Sequence, residues 1–189
     1  NSLLSFFQPI IGSQASDILA VLSLGGDTGM TLESVANALG LPLPNVRNAV
    51  VQLAAGGVLL DLGNQHLSVR PPVLRYALVR DVFFRGASSY SIEPVLNNYV
   101  PNLEKAALVI IGAKARGAQV SPVFLRSLVE RLNLPEVFNA YAELGADESR
   151  WVLQYNPTLL IVVMYPALHY IPEYITHKLR ILRSCQGHF

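Results

Sequence analysis

Apolar positions recur at helical spacing along most of this chain, and the clearest run lies between Thr31 and Arg70. Leu32, Val35, Ala36 and Leu39 stand at i, i+3, i+4 and i+7, one face of a short helix, with Thr31 placed to cap its start and Gly40 to end it. Leu41, Pro42, Leu43 and Pro44 form a turn. Pro44 suits the first turn of a second helix, where its missing N–H would have no partner, and Val46, Val50, Leu53 and Ala54 give that helix an inner face. Gly56 and Gly57 end it. Val58 to Asp61 and His66 to Arg70 then read as two strands around Leu62, Gly63, Asn64 and Gln65, where glycine and asparagine accept the positive φ of a hairpin.

The same logic extends both ways. Leu3 to Ile11 reads as a short amphipathic helix or the tail of an upstream element; Ser13 or Ser16 then caps a helix carrying Ile18, Leu19, Val21 and Leu22, which Gly25 and Gly26 break. After the hairpin, Pro71 and Pro72 stop the strand and open a helix with Leu74, Ala77, Leu78 and Val82 on one side and Arg75, Arg80 and Arg85 along it. Beyond Ser88 there is no strand-like alternation. Helices are predicted over 92–99, 103–115, 122–132, 135–144, 147–155, 157–168 and 172–183, several opened by proline or an acid. Such short helices and turns suggest stacked antiparallel pairs.

The predicted fold is therefore mainly α, in two parts. Residues 1–85 resemble a winged helix, three helices plus a β-hairpin wing, with flanking helices; residues 86–189 are expected to form an all-α, helical-repeat-like scaffold. The chain opens on Asn1 and is expected to be a piece of a longer polypeptide. Composition adds to that expectation: 51% of residues are apolar, 14% are charged and mean hydropathy is +0.37, so part of the surface is expected to meet another protein or another part of its own polypeptide. The longest apolar run, 158–165, is too short to span a bilayer, and the opening lacks the basic start of a signal peptide. With Cys185 alone, there is no intrachain disulfide and no cysteine-based zinc site, and a cytoplasmic setting is expected.

Candidate chemistry is sparse. GGDTGM at Gly25 lacks the Gly-Lys-Ser/Thr ending that holds phosphate and magnesium, and reads as a turn. Lys114 and Arg116, between Gly112 and Gly117, read as cations at a helix C-terminus. His169 and His177 stand eight apart, too far for chelation at i, i+4, and Asp147 with Glu148 reads as a helix cap. Neither a catalytic constellation nor a metal or cofactor site emerges, and the chain is read as non-enzymatic. Arg75, Arg80, Trp151 and Tyr155 are the candidates for contact with protein, because arginine and large aromatics are favoured at interfaces.

A winged helix raises the question of DNA. The second helix of its pair carries Asn45, Arg47, Asn48 and Gln52 as candidate base readers, with Arg47 its one basic residue. Residues 1–85 hold five basic and five acidic side chains, a net charge of zero. Phosphate neutralisation needs a basic face, so the balance favours a protein partner over nucleic acid.

The low-charge winged helix, followed by VRPPVLRYALVRDVFF and then paired helices that include ESRWVLQYNPTLL, resembles the part of bacterial STAND-type signalling NTPases that lies downstream of the ATPase domain. The resemblance implies a winged helix that packs on a nucleotide-binding domain and helices that sense or relay a signal, the catalytic lysine and acids belonging to the upstream domain. The family's nucleotide-sensing histidine after the wing has no match. Arg70, Pro71 and Pro72 stand there, and Arg70 is the residue that could sense phosphate instead. The expected function is a non-catalytic regulatory and protein-interaction fragment; the alternative is a winged-helix transcription regulator with a C-terminal dimerisation or effector domain.

Overall fold

The computed structural model describes residues 3–85, 91–132 and 134–144. These form eight helices and one three-stranded antiparallel sheet. The chain divides into two compact units, Asn1–Val120 and Ser121–Phe189.

The first unit is built around α1, Leu3–Leu24. One helix runs through the position where the sequence suggested a break and a new serine cap. The reason is tertiary: Ala15, Ser16, Ile18, Leu19, Ala20, Val21 and Leu22 are all buried, and burial of a whole segment outweighs local stop signals. Ser23 donates back to the Leu19 carbonyl at 2.7 Å, a satisfied buried hydroxyl. The helix ends at the glycines as expected, and GGDTG is a tight turn in which Gly29 N–H donates to the Gly25 carbonyl at 3.1 Å. Glycine is required at position 29. Its φ is +71°, and a Cβ there would stand 2.7 Å from the Leu67 carbonyl oxygen of the neighbouring strand.

Met30–Thr31 forms β1, a strand too short to leave a sequence pattern. Thr31 also caps α2, Leu32–Leu39: its extended backbone (φ −80°, ψ 156°) aims the hydroxyl at Ser34 N–H, 3.2 Å away. Gly40, left-handed at φ +63°, closes the helix while Leu41 N–H donates to the Ala36 carbonyl. Helix α3, Leu43–Ala55, takes Pro44 in its first turn and buries Val46, Val50 and Leu53. Ala54, expected on the inner face, is exposed. The buried stripe follows i, i+4 and i+7, and Ala54 falls just past its edge.

Strands β2, Leu59–Asp61, and β3, His66–Val69, pair in register through Leu59 with Val69, Leu60 with Ser68 and Asp61 with Leu67. Between them Gly63, Asn64 and Gln65 all have positive φ, and the Asp61 carboxylate accepts from Gly63 N–H at 2.8 Å. On its other edge β3 pairs with β1, Met30 opposite Leu67, so the sheet order is β1–β3–β2.

Helix α4, Pro72–Phe83, buries the expected Leu74, Ala77, Leu78 and Val82, and also Arg75, Val79 and Asp81, so most of its circumference is enclosed. It lies against α1 and α6. Helix α5, Ile92–Asn98, touches α2; α6, Leu103–Lys114, starts at Asn102, whose side chain accepts from Lys105 N–H at 3.0 Å. Tyr76 meets Gly112 and Arg80 reaches the Arg116 carbonyl, so α4 and α6 run side by side in the same direction. Helices α5 and α6 belong to this first unit.

In the second unit, α7, Pro122–Leu132, and α8, Pro135–Ala142, bury Leu125, Leu128, Val129, Val137, Phe138 and Tyr141. The helices expected over 147–155, 157–168 and 172–183, and with them Trp151 and Tyr155, lie outside the described residues. Among the described residues no helix is long and apolar enough to cross a membrane.

Candidate interaction surfaces

Helix α3 turns its polar side outward. Asn45, Arg47, Asn48 and Gln52 are all exposed, as a helix with its apolar stripe on Val46, Val50 and Leu53 requires, and Val51 stands among them at 64% exposure. The four candidate base readers therefore share one solvent-facing side. Arg47 is the one charged residue within α3. The hairpin beside it adds Asp61, Asn64, Gln65 and His66, whose Nδ1 lies 3.0 Å from the Asn64 carbonyl, and holds no Lys or Arg. Arg70 follows β3 with its side chain exposed and its backbone N–H donated to the Val58 carbonyl. A face so composed offers amide and apolar contacts and little attraction for phosphate.

Arg75, singled out as a contact for a partner, is not on the surface. It is 7% exposed, and its Nε donates to the Val69 carbonyl at 2.7 Å while Nη2 donates to Ser68 Oγ at 3.0 Å. Ser68 in turn donates to the Gly26 carbonyl at 2.8 Å. One guanidinium thus ties α4, strand β3 and the glycine turn after α1 into a single buried network. Burial lowers the pKa of Arg75 from its ordinary value while the nearby Asp27 carboxylate pulls it back up; arginine stays charged even so. The sequence signal was a serine inside a strand pattern with an arginine seven residues on, too common a pair to read without the fold.

Arg80 is also committed within the chain. Its Nε and Nη2 donate to the two oxygens of Asp81 at 2.7 and 3.0 Å, and Nη1 donates to the Arg116 carbonyl at 3.2 Å. The hydrogen-bonded Asp81 raises the Arg80 pKa above its ordinary value. Asp81, 3% exposed, also receives Arg85 Nη1 at 3.3 Å. Arg80 and Arg85 thus share one buried carboxylate. At the end of α6, Arg116 donates to the Gly112 carbonyl at 3.0 Å with its guanidinium carbon 4.3 Å from the centroid of the Tyr76 ring, and Lys114 donates to the Val120 carbonyl at 3.4 Å. These are the helix-end cations expected from the Gly112–Gly117 segment. At the start of α6, Lys105 pairs with Asp27 across 3.6 Å.

Among the described residues no group of three His, Cys, Asp or Glu side chains could hold a metal ion. Compared with known protein families, curated proteins and solved structures, the chain matches none.

Proposed function

We propose that the first unit contains a winged helix that works as a non-catalytic regulatory module and docks on protein rather than DNA, as a fragment of a larger STAND-type signalling NTPase. The observation that carries the docking reading is the outer side of α3: Asn45, Asn48, Gln52 and an exposed Val51 surround a single charge, Arg47. A DNA reader's helix must sit among phosphates, and each phosphate contact needs a donor, most often a cation. An amide-rich face with an exposed β-branched side chain is instead suited to a protein surface, where apolar area and neutral hydrogen bonds supply the affinity. The order of elements, with helices α1 to α3 and strands in the order β1–β3–β2, supports the winged-helix reading. In the intact protein the upstream NTPase domain would be the partner, with Arg70 at the end of the wing as its phosphate-facing residue.

The alternative is a DNA-binding regulator, favoured by the placement of Asn45, Arg47, Asn48 and Gln52 on one exposed side. Fluorescence anisotropy with a labelled duplex separates the two. The docking reading expects a Kd no tighter than about 10 μM at ~150 mM salt, the nonspecific range, with no loss on Arg47→Ala. Sub-micromolar binding with a steep salt slope that Arg47→Ala weakens would overturn it.

A further inference from the structure

The basic residues of the first unit are not evenly spread. Residues 1–120 contain eight basic and seven acidic side chains. Four of the eight, Arg80, Arg85, Lys114 and Arg116, lie in or just after the last turns of α4 and α6, where Arg80 joins the two helices through the Arg116 carbonyl, and one of the seven acids, Asp81, pairs with Arg80 and Arg85. The remainder of the unit carries more acid than base. Arg75, which meets Val69 at the sheet, stands eight residues before the end of α4 at Phe83, so this end lies roughly 12 Å further along the helix. It is a different surface from the outer side of α3.

Two helix C-termini meet there, and their carbonyls together offset roughly one positive charge. Arg80, Arg85 and Arg116 together exceed that offset and Asp81 combined. Asp81 is buried beneath Arg80 and Arg85, so what faces solvent is guanidinium: the Arg85 side chain is 50% exposed and Arg116 is exposed.

The cluster is also held in shape. Arg116 lies over Tyr76 and is tethered to the Gly112 carbonyl, while the Tyr76 ring presses on Gly112 so closely that a Cβ there would stand 2.5 Å from Cε1. Arg80 locks the Asp81 carboxylate through both oxygens and ties down the Arg116 backbone. Arginines fixed by stacking and hydrogen bonds lose little side-chain entropy on binding, which is what makes arginine effective at the centre of an interface.

We propose that this cationic end of α4 and α6 is a docking surface for an acidic segment of a partner protein, with Arg85 and Arg116 taking its carboxylates. Size decides against nucleic acid. A phosphodiester track must be neutralised at several successive phosphates, and here two exposed guanidiniums stand at separate points, Arg85 on the buried Asp81 carboxylate and Arg116 over the Tyr76 ring, rather than along a groove. Two carboxylates of one short peptide segment match two planar forks.

The test uses the full chain and a fluorescein-labelled peptide of six alternating Glu and Leu residues, read by anisotropy at ~50 mM salt, with a single-stranded oligonucleotide of similar net charge in parallel. The peptide is expected to bind in preference to the oligonucleotide, and the double variant Arg85→Gln/Arg116→Gln to weaken it by about tenfold or more, on the scale of two exposed charge pairs. Lys105→Gln, which removes one charge from the opposite end of α6, is expected to leave peptide binding unchanged. Thermal melts of each variant confirm that the fold persists; if Arg116→Gln loosens the end of α6, Arg85→Gln alone carries the test and is expected to weaken binding about threefold. Tighter binding of the oligonucleotide, no peptide binding, or equal loss with Lys105→Gln would each overturn the proposal.

Discussion

Arg75 is the residue on which the first unit's polar interior depends, and replacing it with methionine tests that directly. Methionine keeps the unbranched stem and much of the volume but leaves the Val69 carbonyl and Ser68 Oγ without the donors now at 2.7 and 3.0 Å. Hydrogen bonds to a charged group contribute about 1.5–3 kcal/mol each. Against that loss stands the relief of a buried guanidinium, which in some proteins makes a hydrophobic replacement neutral. The relief is smaller here, because only one side of the network is replaced and its acceptors stay behind. A net loss of about 3 kcal/mol follows. For a unit of 120 residues, at about 2.1 cal/mol/K of unfolding entropy per residue, that lowers Tm by roughly 12 °C. Far-UV circular dichroism of the intact chain measures it. Ser68→Ala completes a double-mutant cycle: since Ser68 also serves Gly26, the double variant is expected to be about 1 kcal/mol more stable than the two single losses predict. A Tm change for Arg75→Met within about 3 °C, with no coupling to Ser68, would refute the structural role of the guanidinium.

Two further outcomes follow from single positions. Gly29→Ala is expected to cost about 2–4 kcal/mol, because a left-handed φ and a Cβ 2.7 Å from the Leu67 oxygen add together, whereas Gly63→Ala, at φ +81° with open space around it, is expected to cost about 1 kcal/mol; equal urea midpoints for the two variants would show that the close approach is not felt. Burial raises the Asp17 pKa, so the folded state disfavours its charge. That penalty is absent below the ordinary value of 3.8, grows as pH rises from there to the raised value and is complete above it, so Asp17→Asn should raise Tm at pH 7 by more than at pH 3.5. A difference independent of pH would contradict this assignment.

Sequence alone determined the local grammar of this chain. Thr31 and Gly40 bound α2 because a hydroxyl can cap and a glycine can turn left-handed, properties of single residues that no distant neighbour supplies. The same holds for the hairpin around Gly63 and for the start of α7 at Pro122. The outer side of α3, with Arg47 as its single charge, was legible too, since an i, i+4, i+7 stripe assigns both faces at once. What tertiary structure decided was continuity, pairing and burial of charge. It carried α1 past two serines that could have capped it, and gave Met30–Thr31 a strand partner in β3 that no two-residue pattern announces. It also laid α6 along α4, within the first unit. Arg75, Arg80 and Arg85 look alike in a string of letters. Their fates differ because one points into the sheet, one lies along a buried carboxylate and one half emerges into water, and only the path of α4 across α1 and α6 sets those directions.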